Sequence, residues 1–324
     1  MRWPGDVRWK LAEVLCPRPA EGEASVRSDA GIDLADCDVP MLEALYEATG
    51  EALRARNASL LYAEQTYRGA MQWIEAFTPG VAGANILEIG PGDTLVLGAL
   101  LVAAGARSYT AADAFPLASH DVEVYRRLRR RLEREPLVDM ARYRPARDAA
   151  LAAFDAAVDL DGDTVRFAED RLRWVCPADA ADLPFGDGTF DIVFSNAAFE
   201  HFRDPDAAVR ESLRVLVPGG VGLHQIDLRD HRNFDEPLGF LSFAEVDWIE
   251  QFEGISGCHW VTNRWRRGDF AAAFERHGAT IDSMTSIQEI TVTEAMRQQM
   301  HADFRDRSPE DLGALDAFFA VSRK

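Results

Sequence analysis

A chain of 324 residues, 47% hydrophobic and 27% charged, has material for one large embellished domain or two unequal ones. Its formal net charge of −19 argues against nucleic-acid binding, which needs a basic surface to meet the phosphates. Cys16, Cys37, Cys176 and Cys258 lie far apart without metal-ligand spacing, which speaks against a disulfide scaffold or structural zinc and fits a reducing compartment.

The first residues lack the apolar core of a signal peptide, and the longest apolar run, 95–106, is too short to cross a bilayer. The expectation is a cytoplasmic protein with no membrane partner. Residues 16–31 are rich in Pro, Gly and acid and read as a loop. Apolar residues then recur at helical spacing (Leu42, Leu45, Tyr46; Leu60, Leu61, Tyr67, Met71, Ile74) until Thr78-Pro79-Gly80. Residues 1–80 are thus expected to form an α-helical cap or lid.

Strand and helix patterns alternate from there. Strands are expected at 85–89, 108–112, 172–176, 190–195 and 221–228, with two more at 279–287 and 317–322. The alternation predicts an α/β fold: a Rossmann-like, doubly wound, mostly parallel seven-stranded sheet under the N-terminal cap, with ligands at the carboxyl ends of the strands. A long helical insert is expected at 121–157. Its arginines (Arg126, Arg127, Arg129, Arg130, Arg131, Arg134) surround Tyr125, Leu128 and Leu132 at helical spacing, which reads as a solvated helix with one buried stripe. Residues 165–167 and 172–176 flank a polar turn and are expected to form a small hairpin. Helices are expected at 269–277 and 294–304. The resulting divisions are a cap (1–80), a core (81–230), a substrate-side insert (231–268) and C-terminal helices with the last two strands (269–324).

The strand at 85–89 runs through Glu88 into Gly90-Pro91-Gly92, where glycine lets the backbone approach a ligand and the next helix offers its amides. The nicotinamide fingerprint would want glycine where Leu95 stands. Asp113 ends the second strand about 20 residues on, where an acid can accept from ribose hydroxyls. Two further stretches discriminate among cofactors. One runs from Asp179-Ala180-Ala181-Asp182-Leu183-Pro184-Phe185 through Phe190-Asp191-Ile192-Val193-Phe194-Ser195-Asn196-Ala197 to Phe199-Glu200-His201, and the other is Leu216-Val217-Pro218-Gly219-Gly220.

With these motifs the chain resembles the class I S-adenosylmethionine (SAM)-dependent methyltransferases of the small-molecule type, across about residues 69–228 and loosely over the last two strands. The resemblance implies SAM as cofactor. Glu88, Gly90 and Gly92 would shape the pocket for its methionine part, Asp113 would hold the ribose hydroxyls, and Ala114 or Phe115 would lie beside the adenine. Asp179 would accept from the adenine amino group and Ala180 donate from its backbone, while Asn196 and Ala197 would border the sulfonium. Thr94 departs from the pattern, since many members carry a third glycine there. By the residues alone, Asp179 could instead cap a turn.

Beyond the fifth strand lies His224-Gln225-Ile226-Asp227-Leu228-Arg229-Asp230-His231, a pattern also found in methyltransferases that resemble this chain. Strand alternation puts His224 and Asp227 on opposite faces. Charges crowded there should pair or face the cleft. His224, Asp227, Asp230 and His231 are the candidate general bases, with Tyr62 or Tyr67 of the cap as outsiders; a salt-bridged network closing the cleft is the competing reading. Asp191 and Glu200 read as structural, and His201 as a partly buried, hydrogen-bonded histidine. Trp73 and the aromatics of 234–265, Trp260 among them, read mainly as core, and Asn263 to Arg267 offers cations for an anionic substrate group or a helix entrance.

The expected reaction is transfer of the SAM methyl group to an O or N nucleophile of a small molecule, in a biosynthetic pathway. A cyclase or lyase forming azetidine-2-carboxylate and methylthioadenosine is a second reading, and a non-catalytic SAM-binding protein a third. No metal is expected. The partner is a small-molecule substrate, with a homodimer left open.

Overall fold

The computed structural model describes residues 60–134, 147–250 and 262–324. The loop at 16–31, the first part of the cap, Trp260, Cys16, Cys37 and Cys258 lie outside the described residues.

Helix α1 (Leu60–Phe77) places Tyr67, Met71 and Ile74 on one buried face, while Trp73 meets Phe318 edge-on at a ring separation of 5.0 Å. β1 (Asn85–Ile89) leads through the glycine turn into α2 (Val96–Ala103), which is buried on every side and so accounts for the unbroken apolar run. β2 (Ser108–Ala112) follows. The insert contains two helices, α3 (Val122–Arg134) and α4 (Arg147–Ala157), with 135–146 outside the described residues. Tyr125, Leu128 and Leu132 are buried, and the arginines of α3 are engaged: Arg129 pairs with Asp155 at 2.6 Å, and Arg126 donates to the Leu160 and Gly162 carbonyls at 2.9 Å each. That is the solvated helix with a buried stripe.

The expected hairpin does not form. β4 (Arg166–Phe167) pairs instead with β3 (Val158–Asp159), and β5 (Leu172–Val175) joins the main sheet parallel to β2. The physical reason is Leu172: fully buried in the main core, it fixes that register, which a detached hairpin would expose.

β6 (Phe190–Asn196), the short 3₁₀ turn Phe199–His201, α5 (Pro205–Arg214) and β7 (Leu216–Asp227) complete the parallel part. α5 starts on Asp204, whose carboxylate accepts from the Ala207 amide at 2.9 Å, with Pro205 in the first turn. α6 (Glu245–Glu250) lies in the insert. α7 (Arg267–Arg276), β8 (Ala279–Thr285), α8 (Glu294–Gln299), α9 (Ala302–Arg305), α10 (Pro309–Gly313) and β9 (Asp316–Arg323) close the chain.

The sheet order is β5-β2-β1-β6-β7-β9-β8, with β9 antiparallel to both neighbours. This is the expected seven-stranded, mostly parallel architecture, its layers of core filled by α1–α4 on one face and by α5 and α7 on the other. Other boundaries differ from expectation, among them β7, which begins at Leu216 and not at 221. The helix expected at 294–304 breaks at Met300 and His301, because Met300 is buried in a third cluster with Leu241 and Phe304, and the His301 amide donates to the Leu241 carbonyl at 2.8 Å. β8 stops at Thr285 because the Ile287 and Gln288 amides turn to the Asp316 carboxylate, at 2.7 and 3.3 Å.

Candidate active site

The carboxyl ends of β1, β2 and β6 lie side by side, since β1 pairs in parallel with both neighbours. The chain leaves β1 at Gly90 and Gly92, both with positive φ (74° and 68°), and the Gly90 amide donates to the Ala112 carbonyl at 2.9 Å. A Cβ on Gly90 would stand 2.8 Å from that of Ala198, so glycine is required both by the backbone and by the loop after β6. At Gly92 a Cβ would meet nothing within 4 Å; it would project into open space at the mouth of the cradle.

Asp113 closes the other side. Its carboxylate accepts from the Phe115 amide at 3.0 Å and lies near the Gly92 and Ala114 amides; burial nonetheless raises its pKa. Ala114 is exposed and Phe115 is 37% exposed, a flat apolar rim beside the acid. The Ala178 amide donates to the Asp113 carbonyl at 2.8 Å, bringing the 178–182 loop to this edge. There Asp179 accepts from the Ala181 amide at 2.9 Å, the turn-capping role, with its side chain exposed, and Ala180 is buried. Asn196 and Ala197 stand at the end of β6. Ala197 takes a left-handed conformation (φ 51°) and its amide donates to the Gln225 carbonyl at 3.0 Å, while the Asn196 Oδ1 is buried without a hydrogen bond among the described residues. A left-handed alanine and an unpaired buried amide oxygen are what a site retains for a ligand.

Glu88 is buried under the turn and takes the hydroxyl of Tyr109 from the neighbouring strand. Burial pushes its carboxyl up to about 7, Tyr109 opposing and Asp113 reinforcing the shift. Cradle, acid and orphaned amide therefore fit a small polar cofactor carrying hydroxyls and an amino acid portion.

The candidate bases separate. His224 does not face the cleft: its ring stacks on Phe274 (5.5 Å, 19°), sits 4.8 Å from the Phe199 ring, and its Nδ1 lies 2.8 Å from the Ser195 hydroxyl. It is fully buried, and burial lowers its pKa to about 3, so the candidacy of His224 as a base is corrected: even its Nε2 lies against Gly222, where a Cβ would come within 2.7 Å. Asp227 is buried and bound bidentately by Arg229, with His231 Nε2 at 3.4 Å. Burial would raise its pKa, but Arg229 and His231 overcome that and hold it well below the usual range, so it is a fixed anion and not a base. Asp230 is likewise paired, with Arg232 at 2.9 Å. That leaves His231, whose side chain is 12% exposed, 5.1 Å ring to ring from His201. Tyr62 lies on α1 and its side chain is outside the described residues; Tyr67 is buried, its phenol pushed beyond its usual range first by burial and then by Glu75.

A salt-bridged network closes around Asp227 and Asp230, and His231 stands at its edge. The cations at 264–267 are structural. Arg266 is fully buried and donates to the carbonyls of Leu228 (2.5 Å), Leu312 (3.0 Å) and Ala314, with its pKa lowered to about 10 by burial, and Arg264 donates to the Phe243 carbonyl. Asn263 fastens the 3₁₀ turn, donating to the Phe199 and Phe202 carbonyls at 2.8 and 3.1 Å. Asp191 accepts from the Asn85 amide at 2.8 Å, the structural role expected of it. Missing from the sequence reading is Tyr109, which looks like any strand aromatic until β1 and β2 are aligned. Among the described residues no group of His, Cys, Asp and Glu is arranged to hold a metal, and no helix is long and apolar enough to cross a membrane.

An open, mostly parallel seven-stranded sheet with a glycine turn after β1, an acid after β2 and β9 antiparallel beside β7 is the architecture of the class I SAM-dependent methyltransferases. The comparisons point the same way: residues 146–223 match the family model described as a methyltransferase domain, which supports a SAM-dependent methyltransferase. It is similar to an arsenite methyltransferase of Aquipseudomonas alcaligenes, 30% identical over 155 residues, 48% of this chain and 41% of that protein. It is also similar to a ubiquinone/menaquinone biosynthesis C-methyltransferase of Idiomarina loihiensis, 49% identical over 50 residues, 15% of this chain and 20% of that one. The matches thus span less than half the length of these curated relatives. A solved SAM-dependent methyltransferase from Mesorhizobium loti superimposes with a TM-score of 0.42 at 15% identity, covering 79% of this chain and all of that one.

Proposed function

We propose that this protein transfers the methyl group of SAM to an oxygen or nitrogen of a small molecule, in a cytoplasmic biosynthetic pathway. The observation that carries the reading is the cradle in which the positive-φ turn of Gly90 and Gly92 lies between the Asp113 carboxylate and Ala198. Glu88, Gly90 and Gly92 would hold the methionine part, Asp113 the ribose hydroxyls, Phe115 and Ala114 the adenine with Asp179 and Ala180 at its edge, and Asn196 and Ala197 would border the sulfonium. Bound SAM supplies an already activated methyl group, so the protein's own task is alignment, exclusion of water and removal of a proton. Alignment supplies most of the rate, and a base roughly 10²–10⁴-fold. His231, with the Asp227 anion 3.4 Å from its Nε2, would take that proton.

Calorimetry with SAM, then mass analysis after incubation with SAM alone and with a panel of phenol, amine and carboxylate acceptors, tests this. S-adenosylhomocysteine formed only when an acceptor is present supports methyl transfer. Methylthioadenosine plus a cyclic amino acid from SAM alone would replace it with the cyclase reading, and absence of SAM binding would end both.

A further inference from the structure

Glu200, on the 3₁₀ turn immediately after Asn196 and Ala197, is 1% exposed, and neither carboxyl oxygen makes a hydrogen bond among the described residues. A buried carboxyl without a partner is a costly group for a fold to keep. The amides of Glu200 and Asp227 lie near it, its backbone carbonyl accepts from the Asn263 amide at 2.5 Å, and His201 Nε2 stands 3.9 Å from its Oε1. His201 is 25% exposed, and its ring meets that of His231 at 5.1 Å and 63°. His231 has its own carboxylate, Asp227, at 3.4 Å. The turn after β6 and the end of β7 with the loop beyond it therefore each bring a carboxyl near an imidazole, and the two imidazoles meet where the β6 and β7 ends adjoin.

We propose that Glu200 and His201 form a second carboxyl–imidazole pair of this site, coupled ring to ring with Asp227–His231, so that a proton leaving an O–H or N–H acceptor is shared between two imidazoles. The inference rests on the methyl-transfer reading above. The acceptor heteroatom keeps its lone pair for the new bond to carbon, its bond to hydrogen breaks, and the proton goes to His231. From there it passes to the adjoining His201 ring, 5.1 Å away centroid to centroid, and then to solvent on the more exposed side. Glu200 acts through His201 and is a positioning residue. Burial first, and the Asp227 anion second, raise its pKa well above the usual range, opposed by the Glu200 and Asp227 amides and by Arg229. The charged and titratable groups facing the pair are Asp227 and Arg229 at the end of β7 and His231 just beyond it, with Asp316 and Arg266 behind Asp227. Acceptors that bring an acidic hydrogen are favoured by such a device over those already anionic.

The test is an NMR titration of the imidazoles in isotope-labelled full-length protein with S-adenosylhomocysteine bound, His201 and His231 being assigned by their Gln variants. In Glu200→Gln the midpoints of both rings should move, by ~0.5 pH unit or more for coupled sites, with circular dichroism and S-adenosylhomocysteine affinity unchanged. A shift in neither ring, or in His201 alone, would overturn the coupling. If Glu200→Gln does not fold, the His231 midpoint in His201→Gln decides the matter: movement supports the pair, and a wild-type midpoint sinks it. Failure of the wild type to bind S-adenosylhomocysteine would count against the cofactor reading instead, and the same titration on the unliganded protein still reads the coupling.

Discussion

Tyr109 gives its hydroxyl to the carboxylate of Glu88 across the β1–β2 ladder, and the ring that carries the hydroxyl lies over Gly98 of α2. Strand, neighbouring strand and helix thus cooperate to fix one acid beneath the glycine turn. Replacing Tyr109 with Phe leaves a buried carboxyl without its donor, which costs about 1–3 kcal/mol. The expected result is that loss in urea unfolding together with weaker SAM binding by calorimetry. Unchanged SAM affinity would show that Glu88 needs no such support.

Gly98 makes a sharper prediction. A Cβ there would stand 2.3 Å from two carbons of the Tyr109 ring, inside a fully packed core. Alanine is the better helix former, so an exposed site would gain, but overpacking here should cost about 1–3 kcal/mol and tilt the ring off Glu88. Thermal unfolding of Gly98→Ala measures it.

The pH dependence follows from two raised carboxyls, Glu88 at about 7 against an ordinary 4.5 and Asp316 at about 6 against 3.8, burial being the main cause in both. A folded value above the unfolded one favours the neutral form in the fold. That contribution is whole below the unfolded value and is lost as pH rises through the folded one. Glu88→Gln removes the ionisation, so its stability relative to wild type should improve from about pH 5 to about pH 8, by up to ~3 kcal/mol from the size of the shift. Urea denaturation of the unliganded proteins at the two values checks the sign.

Asp113 accepts several amides and borders the glycine turn. Asp113→Ala should weaken SAM binding by roughly 10- to 100-fold, the loss of charge-assisted hydrogen bonds of about 1.5–3 kcal/mol, while the protein stays folded by circular dichroism. Binding within twofold of wild type would remove Asp113 from the pocket.

His224 and His231 should behave oppositely. His224→Phe keeps the stack on Phe274 but leaves the Ser195 hydroxyl unpaired, so stability falls by about 1–3 kcal/mol while the pH profile of methyl transfer holds. His231→Gln should lower kcat with little change in folding.

The parallel part of the fold was legible because each strand there is a short apolar run closed by Gly, Pro or Asp, and all five expected strands of that part exist. What misled was local pattern without its tertiary competitor. Residues 172–175 look like half of a hairpin until burial of Leu172 against the main sheet is weighed, and 294–304 looks like one helix until Met300 is drawn into the cluster under the insert. The glycine turn and the acid after β2 could be found from spacing. The fate of His224 was half legible, since alternation separates it from Asp227, but which face meets the cleft depends on α7 supplying Phe274. Glu200 and Tyr109 were hidden for the same reason: each acts on a residue from another strand or loop, and no periodicity encodes that pairing.

The position of β9 has a consequence for how the molecule is made. Asp316–Arg323 is synthesised after the other strands of the sheet yet lies inside it, between β7 and β8. Until it emerges, β7 has an open edge and β8 no partner. In that interval Asp316 has also not yet captured the Ile287 and Gln288 amides or taken its place opposite Asp227. The glycine turn and its neighbours on β1, β2 and β6 are thus translated well before the strand that closes the sheet between β7 and β8.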